Sequence, residues 1–300
     1  MRPAWPKYLT IAICCLALFL FFPPLRNLVL YVVWPNAWRD VSTFDIIMIS
    51  NFPSPDDVTL QASCDFSNPH PPFIHPADQA SLSISNFRDE SSPARPLKSS
   101  AHSVFLPAME RRDKEMLFQM YLVMASAFKS TGIAFFIRGG SLIGVHRHRG
   151  LIPWDDDIDI ALNVTDWLRV RDVLSCIEGY RLEMAPSSNT HWKFHPAGTA
   201  FPFIDLFFFA ENQEFVWALT PYTRHTFLLR KADVFPLTTG RFEGLQVPVP
   251  RRTDKILKAL YHFSRCESRS SNHKTGESST VVAVPCTDLT YMFDMYNLDP

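Results

Sequence analysis

The sequence predicts an α/β (α+β) domain, a mixed sheet flanked by helices, at about residues 108–263. First, apolar residues recur at helical spacing from Ala108 to Thr131, and Gly132 follows where a helix would end. Second, "IAFFI" (133–137) and "FIDLFFFA" (203–210) are short apolar runs of the kind that form buried strands. Third, helix, strand, glycine turn, strand, helix and further strands follow one another along this segment, which indicates one mixed domain.

Shorter patterns complete the predicted domain. The remaining predicted elements are strands at 157–162, 181–184 and 191–195, a short helix from about 141, and helices at 165–179 and 253–263. From residue 264 onward the chain is polar and biased in composition, so the segment 264–300 is expected to be a mostly unstructured tail.

Composition and charge restrict the class of protein. The chain has 300 residues, of which 47% are hydrophobic and 20% are charged, a globular composition with enough apolar material for a core. Its formal net charge is −1, with a pI of about 6.8. Nucleic-acid binding is therefore not expected, because such proteins concentrate Lys and Arg on a basic face.

The first residues are typical of a membrane signal-anchor. Arg2 and Lys7 precede an uncharged apolar run at 8–22, and a second apolar patch follows at 28–34. Fifteen helical residues span about 22 Å, which is short of the ~30 Å hydrocarbon core, so a cleaved signal peptide remains an alternative. We expect an anchor at 1–34 with a cytoplasmic tip and a lumenal remainder, single-pass and type II.

A Pro- and Ser-rich segment at 35–107 is expected to be a stem. The cysteines outside the apolar run are compatible with an oxidising lumen, where three pairings are possible. They are Cys64, Cys176, Cys266 and Cys286.

Four carboxylates stand within five residues in "PWDDDIDIAL". Side chains alternate along a strand, so Asp155, Asp157 and Asp159 are expected to share one face. Carboxylates about 6 Å apart repel by roughly 3 kcal/mol at an effective dielectric constant of about 20, which a divalent cation would offset. Oxygen ligands favour Mg²⁺ or Mn²⁺ over zinc. A solvated acidic turn, or pairing with nearby arginines, is the alternative interpretation.

Three neighbouring features favour the metal interpretation. The turn Gly139-Gly140-Ser141 opens a short helix and presents backbone N–H groups that suit phosphate oxygens. Arg147 and His148 lie between this turn and the acids. Asp205 interrupts an apolar strand, where an unpaired carboxylate would be costly to bury. This order of elements is the one that two-metal phosphoryl or nucleotidyl transfer requires.

These residues carry a family resemblance. The stretch "GGSLIGVHRHRGLIPWDDDIDIAL" (139–162) resembles the signature of the LicD family, which includes bacterial phosphocholine transferases and the animal fukutin and fukutin-related proteins. A second block, "VFPLTTGRFEGLQVPVPR" (234–251), is also similar to that family. The resemblance covers about residues 116–261. After Tyr261 the chain departs from the family pattern, which puts in doubt the acceptor side of the site.

The resemblance implies roles for individual residues. Asp157 and Asp159 match the paired metal ligands, Asp205 matches the later acid that shares a metal, and Asp155 fits an additional metal-binding position. The positions that the resemblance assigns to phosphate or donor binding are Gly139, Gly140, Ser141, Arg147 and His148.

The resemblance also implies a function. It implies a nucleotidyltransferase-like domain at 108–263 that uses Mg²⁺ or Mn²⁺ to transfer a phosphorylated small alcohol, such as phosphocholine or ribitol phosphate. The donor would be CDP-linked, the acceptor a glycan or glycoprotein, and the released product CMP. Animal members are typically anchored in the Golgi membrane, so Golgi or endoplasmic reticulum is expected. Two alternatives remain, an inactive anchored protein that binds a glycan or an enzyme, and an intracellular nucleotidyltransferase acting on nucleic acid.

Overall fold

A computed structural model describes residues 97–184, 191–219, 227–262 and 264–298. The predicted anchor at 1–34 and most of the predicted stem at 35–107 lie outside the described residues. Within the described part of the chain, no helix combines the length and apolar character needed to cross a membrane. The end of the predicted stem forms a 3₁₀ helix, Ser100–Phe105, whose Phe105 is fully buried.

Helix α1, Arg111–Thr131, follows the predicted apolar stripe. It ends at Gly132, which has φ = 68°, the left-handed conformation that favours glycine after a helix. Its buried face packs on the sheet, where the Phe128 ring lies 5.6 Å from that of Phe135. The helix begins at Arg111, three residues later than the predicted start at Ala108.

The main sheet is mixed, as the sequence predicts. Its strands are β1 (Phe135–Ile137), β2 (Ile158–Asn163), β3 (Tyr180–Met184), β4 (His191–Pro196), β5 (Ile204–Glu211), β6 (Phe215–Ala218) and β7 (Leu228–Arg230). The order is β1-β2-β5-β4-β3, while β6 pairs with both β5 and β7. Strands β2 and β5 are parallel and the other pairs are antiparallel.

Helices flank this sheet. They are α2 (Gly139–Ile143), which continues into a π-helical turn (Gly144–His148), α3 (Trp167–Ser175), α4 (Lys231–Val234) and α5 (Thr253–Leu260). A separate hairpin is formed by β8 (Thr238–Phe242) and β9 (Leu245–Val249). Trp167 of α3 is buried against the sheet, with ring contacts to Trp192 and Phe208. The chain therefore has a mixed α/β fold.

The C-terminal segment differs from the expectation of a mostly unstructured tail. Strands β10 (Arg265–Glu267) and β11 (Ala283–Pro285) pair, a disulfide joins Cys266 to Cys286, and a 3₁₀ helix follows at Cys286–Leu289. This segment forms a second core with Trp154 and Phe105, whose rings meet edge to face at 5.1 Å. The prediction was wrong because it rested on the polar stretch at 264–280, whereas apolar residues that follow it, such as Leu289 and Phe293, bury against a distant part of the chain.

Candidate functional site

Three carboxylates meet where β2 and β5 run side by side. Asp159 of β2 is the direct register partner of Asp205 of β5, so the two side chains lie on adjacent parallel strands. Asp157 stands immediately before β2. One oxygen from each of the three side chains lies within 4.8 Å of the others, an arrangement that can hold a metal ion. The structure therefore brings together three of the four acids that the sequence singles out.

The predicted strand 157–162 begins one residue before β2, which runs from Ile158 to Asn163. Asp155 and Asp157 therefore precede the strand, and the Asp155 N–H donates to the Ile152 carbonyl at 2.9 Å, which closes a turn. Alternation along a strand does not set the directions of these two acids, although Asp157 still joins Asp159 in the cluster. Asp155 lies outside the three-acid cluster, and its proposed role as a metal ligand stays a prediction.

The glycine turn fits closely around the acids. Gly139 has φ = 59°, and a Cβ atom built there would overlap the Asp159 carboxylate. The Gly140 N–H donates to Asp159 Oδ2 at 3.1 Å, and a Cβ on Gly140 would lie 2.7 Å from Asp155 Oδ2. The two glycines are therefore needed because only hydrogen atoms leave room for the carboxylates.

Replacing Gly139 by alanine tests this fit. We expect Gly139→Ala to lose about 1–2 kcal/mol of stability from its left-handed backbone and to weaken binding of Mn²⁺, because Asp159 must move. Gly198→Ala is the matched control, since Gly198 is exposed and its added Cβ would meet no atom within 4 Å. Melting temperatures with and without Mn²⁺ provide both readouts. An unchanged Mn²⁺ effect in Gly139→Ala would contradict the role given to this turn.

The chemistry of the cluster fits a hard divalent cation. Asp205 is buried, and its Oδ1 has no hydrogen-bond partner among the described residues. His191 Nε2 lies 3.0 Å and Lys193 Nζ 3.8 Å from this oxygen, but the histidine is outside hydrogen-bond geometry. At an effective dielectric constant of about 20, two carboxylate charges of the cluster repel each other by roughly 3 kcal/mol. A set of carboxylate oxygens, one of them buried without a hydrogen bond among the described residues, suits Mg²⁺ or Mn²⁺.

Burial and mutual repulsion raise the pKa values of the acids. Burial, followed by the charges of Asp159 and Asp156, raises the pKa of Asp155 to about 7. Burial and the charge of Asp205 raise the pKa of Asp159 to about 6. The pKa of Asp157 is raised well above its ordinary value of 3.8 by burial and then by Asp159 and Asp155. Near pH 6 the ion-free cluster therefore retains protons.

These pKa directions predict a pH-dependent effect of metal. Because the folded-state pKa values exceed that of an unfolded aspartate, the folded protein keeps protons that the unfolded chain has released. The contribution of these acids to stability therefore falls as the pH rises from about 4 to about 7. Since a cation must displace the protons, stabilisation by Mn²⁺ should increase between about pH 5.5 and 7.5. Thermal melts at both pH values check this, and equal Mn²⁺ shifts would argue against a carboxylate site.

The other predicted site residues lie beside the cluster. Ser141 is fully buried, and its Oγ accepts a hydrogen bond from the Asp159 N–H at 2.9 Å. Arg147 is also buried, and its Nε donates to Nε2 of His148 at 3.1 Å. Burial, then the charge of Arg147, lowers the pKa of His148 well below its ordinary value, so this imidazole is neutral. Phosphate binding by these three residues stays a prediction.

Sequence reasoning missed a second set of contacts next to the cluster. The side chain of Asp156 is 2% exposed and pairs with Arg269 Nη1 at 3.0 Å and with His273 Nδ1 at 2.7 Å. His273 also lies 3.7 Å from Asp157. Both partners belong to the segment that was expected to be unstructured. The acidic run at residues 155–159 therefore has two structural roles. Asp157 belongs to the three-acid cluster, while Asp156 holds the C-terminal segment.

Comparisons with known proteins place part of the chain near one family. A family model described as "LicD/FKTN/FKRP, nucleotidyltransferase domain" matches residues 132–252. Lipopolysaccharide cholinephosphotransferase LicD of Haemophilus influenzae is 44% identical over 55 residues, 18% of this chain and 21% of that protein. Human ribitol 5-phosphate transferase FKRP is 28% identical over 94 residues, 24% and 19% of the two chains.

Two further similarities were found. An uncharacterised Rickettsia typhi protein is 27% identical over 137 residues, 45% of this chain and 41% of that one. The aligned segments cover less than half of each of these three relatives. A crystal structure of ANT(2″)-Ia in complex with adenylyl-2″-tobramycin aligns with a TM-score of 0.33 and 14% identity, covering 44% of this chain and 69% of that one.

Proposed function

We propose that this chain, whose residues 132–252 match the LicD family model, transfers a phosphorylated small alcohol from a CDP-linked donor to a glycan, releasing CMP. Two of the similar proteins are a cholinephosphotransferase and a ribitol 5-phosphate transferase, and these activities motivate the reaction class. The observation that carries the proposal is the convergence of Asp157, Asp159 and Asp205. A cluster of this kind suits reactions in which negative charge on phosphate must be neutralised.

The residues of the cluster would hold the metal. Asp157, Asp159 and Asp205 supply one oxygen each, and Gly140 fixes Asp159 by its backbone hydrogen bond. When bound, Mg²⁺ or Mn²⁺ would neutralise charge on the phosphate oxygens of the donor. The strand register keeps Asp159 and Asp205 adjacent without the ion, so the site is preorganised by the sheet.

The transfer step is a displacement at phosphorus. The acceptor hydroxyl oxygen forms a bond to the phosphorus that carries the alcohol, and the bond from that phosphorus to CMP breaks. CMP leaves with the bonding electron pair. Asp205 would accept the hydroxyl proton, and its buried Oδ1, without a hydrogen-bond partner among the described residues, supports this role. Gly139 and Gly140 leave room for the carboxylates of Asp159 and Asp155.

The structure weakens the reason for considering an inactive protein that only binds a glycan or an enzyme. That alternative was prompted by the divergent sequence after Tyr261. The divergent segment packs against the site, however, through the salt bridge between Asp156 and Arg269 and the hydrogen bond from Trp154 Nε1 to the Glu267 carbonyl at 2.8 Å. A segment that packs against the acidic run supports an intact site.

Release of CMP tests the proposal. The purified full-length chain is incubated with a panel of CDP-linked alcohols, with candidate glycan acceptors and with Mn²⁺ or Mg²⁺. We expect one donor class to give acceptor-dependent CMP that disappears when the metal is chelated. Absence of CMP with every donor and acceptor, in protein that Mn²⁺ stabilises, would favour the inactive alternative. CMP release that survives chelation would contradict the assigned metal role.

We also propose that the chain is held in a Golgi or endoplasmic reticulum membrane with its catalytic domain in the lumen. The disulfide between Cys266 and Cys286 supports an oxidising compartment, because such bonds are rare in the cytosol. Cys176 also takes part in a disulfide. Protease protection of the full chain in isolated vesicles tests the topology. Digestion of the domain in intact vesicles would contradict it.

A further inference from the structure

A cavity of about 220 Å³ opens beside the acidic cluster. Gly140 and Asp155 form the wall nearest the cluster, and Trp154 and Tyr261 contribute aromatic surface. Pockets that bury drug-sized ligands measure about 300–1,000 Å³. This cavity is therefore large enough for one charged group with a small substituent, and too small for a whole nucleotide.

A buried arginine lines this cavity, and no carboxylate among the described residues lies within salt-bridge distance of it, although the charge of Asp155 acts on it. Arg147 is 4% exposed and lines the cavity. Its described hydrogen bonds go to His148 Nε2 and to the sulfur of Cys286, at 3.1 and 3.3 Å. Among the described residues, none forms a salt bridge with it, and burial lowers its pKa to about 10. A buried guanidinium bonded only to weak, neutral acceptors indicates that an anion from outside completes its pairing.

The C-terminal segment supplies further cations. Arg265 and Arg269 line the same cavity, although both lie beyond the residues matched by the family model. Arg265 is exposed and its Nη2 donates to the Ala283 carbonyl at 3.1 Å, and it forms no salt bridge with a carboxylate of the described residues. Arg269 is held in place by Asp156. The pairing of β10 with β11 and the disulfide fix Arg265 at the cavity.

From these contacts we propose that the cavity is a phosphate-binding subsite built jointly by Arg147 and the C-terminal arginines. The inference rests on the proposed function, since it assigns the subsite to a phosphate group carried by one of the two substrates. Guanidinium groups bind phosphate through charge-assisted hydrogen bonds. The same charges disfavour a quaternary ammonium group such as that of choline. Asp155 and Glu267 also line the cavity and limit its net positive charge.

Titration of inorganic phosphate into the full-length chain, with divalent ions chelated, tests the subsite. We expect Arg265→Gln to weaken phosphate binding about tenfold, which corresponds to about 1.4 kcal/mol. Glu267→Gln removes an exposed acid from the same wall and should tighten binding. Arg181→Gln is the matched control, because Arg181 is exposed on the distal strand β3 and should leave binding unchanged.

A second titration identifies the source of the phosphate. If the subsite takes a donor phosphate, CMP and inorganic phosphate compete; if it takes a phosphate of the other substrate, both bind together. No phosphate binding to the unmodified chain, or equal affinity in Arg265→Gln and the unmodified chain, would overturn the proposal. These measurements need no turnover, so a failure to release CMP from any donor would contradict the proposed function and not the proposed phosphate subsite.

Discussion

Asp159→Asn is expected to abolish transfer while leaving the fold intact. The substitution removes one of three clustered charges and keeps the shape of the side chain, so the register of β2 with β5 is preserved. Loss of a metal-binding carboxylate should lower the rate of CMP release by about a thousandfold or more, roughly 4 kcal/mol in transition-state free energy. The melting temperature without metal should stay equal or rise, because the raised pKa of Asp159 shows that its charge is unfavourable in the ion-free fold.

The control for this variant is an acid remote from the site. Asp172 of α3 has a side chain that is 53% exposed and pairs with Arg171, so Asp172→Asn should change neither rate nor stability measurably. The two variants are compared by CMP release and by melting with and without Mn²⁺. Transfer retained in Asp159→Asn would remove this residue from the site. A large fall in its melting temperature without metal would instead indicate a structural role.

The sequence predicted the core of the site because local patterns determine it. Each of the strands β2 and β5 is an apolar run interrupted by one acid, and parallel pairing in register places Asp159 beside Asp205. The glycine turn was equally visible, since the pair Gly139-Gly140 follows directly after a strand and Arg138. In each case the pattern that marks the element lies within about ten residues of chain, whereas the pairing of β2 with β5 joins residues that are distant in the sequence.

Other features depend on contacts that no local pattern reports. The alternation rule placed Asp155 and Asp157 on a strand. In the structure both residues precede the strand, and Asp155 closes a turn with Ile152. The strands β6 and β7 are short and were not predicted. The C-terminal segment begins with a polar stretch, yet it is fixed by a disulfide and by Asp156, which is 117 residues from His273. Only the fold brings such distant residues together.

Asp156 and Asp157 are therefore expected to respond in opposite ways to the same substitution. Asp157 lies among like charges, so Asp157→Asn should cost activity and spare stability. Asp156 accepts hydrogen bonds from Arg269 and from the backbone N–H of His273 at 3.0 and 3.1 Å, and its other oxygen lies 2.7 Å from His273 Nδ1. Burial alone would raise its pKa, but these partners outweigh burial and lower it.

Asp156→Asn should consequently destabilise the protein by about 2–3 kcal/mol. Breaking a fully buried ion pair costs about 3–5 kcal/mol, and the partly exposed side chains of Arg269 and His273 reduce that cost. The expected fall in melting temperature is about 5–10 °C for a domain of this size. Limited proteolysis should cleave residues 264–298 faster than in the unmodified chain, because this segment loses its buried anchor.

Asp113→Asn provides the comparison that isolates burial. Asp113 also contacts the C-terminal segment, through Lys274 Nζ at 2.8 Å, but the lysine side chain is 48% exposed. Solvent screens such a pair, so Asp113→Asn should cost less than about 1 kcal/mol and leave proteolysis of the segment unchanged. If the two variants have the same melting temperature, or if Asp156→Asn leaves residues 264–298 as resistant to proteolysis as in the unmodified chain, Asp156 does not hold this segment. In that case the wall of the cavity depends on the disulfide and the apolar contacts of Trp154.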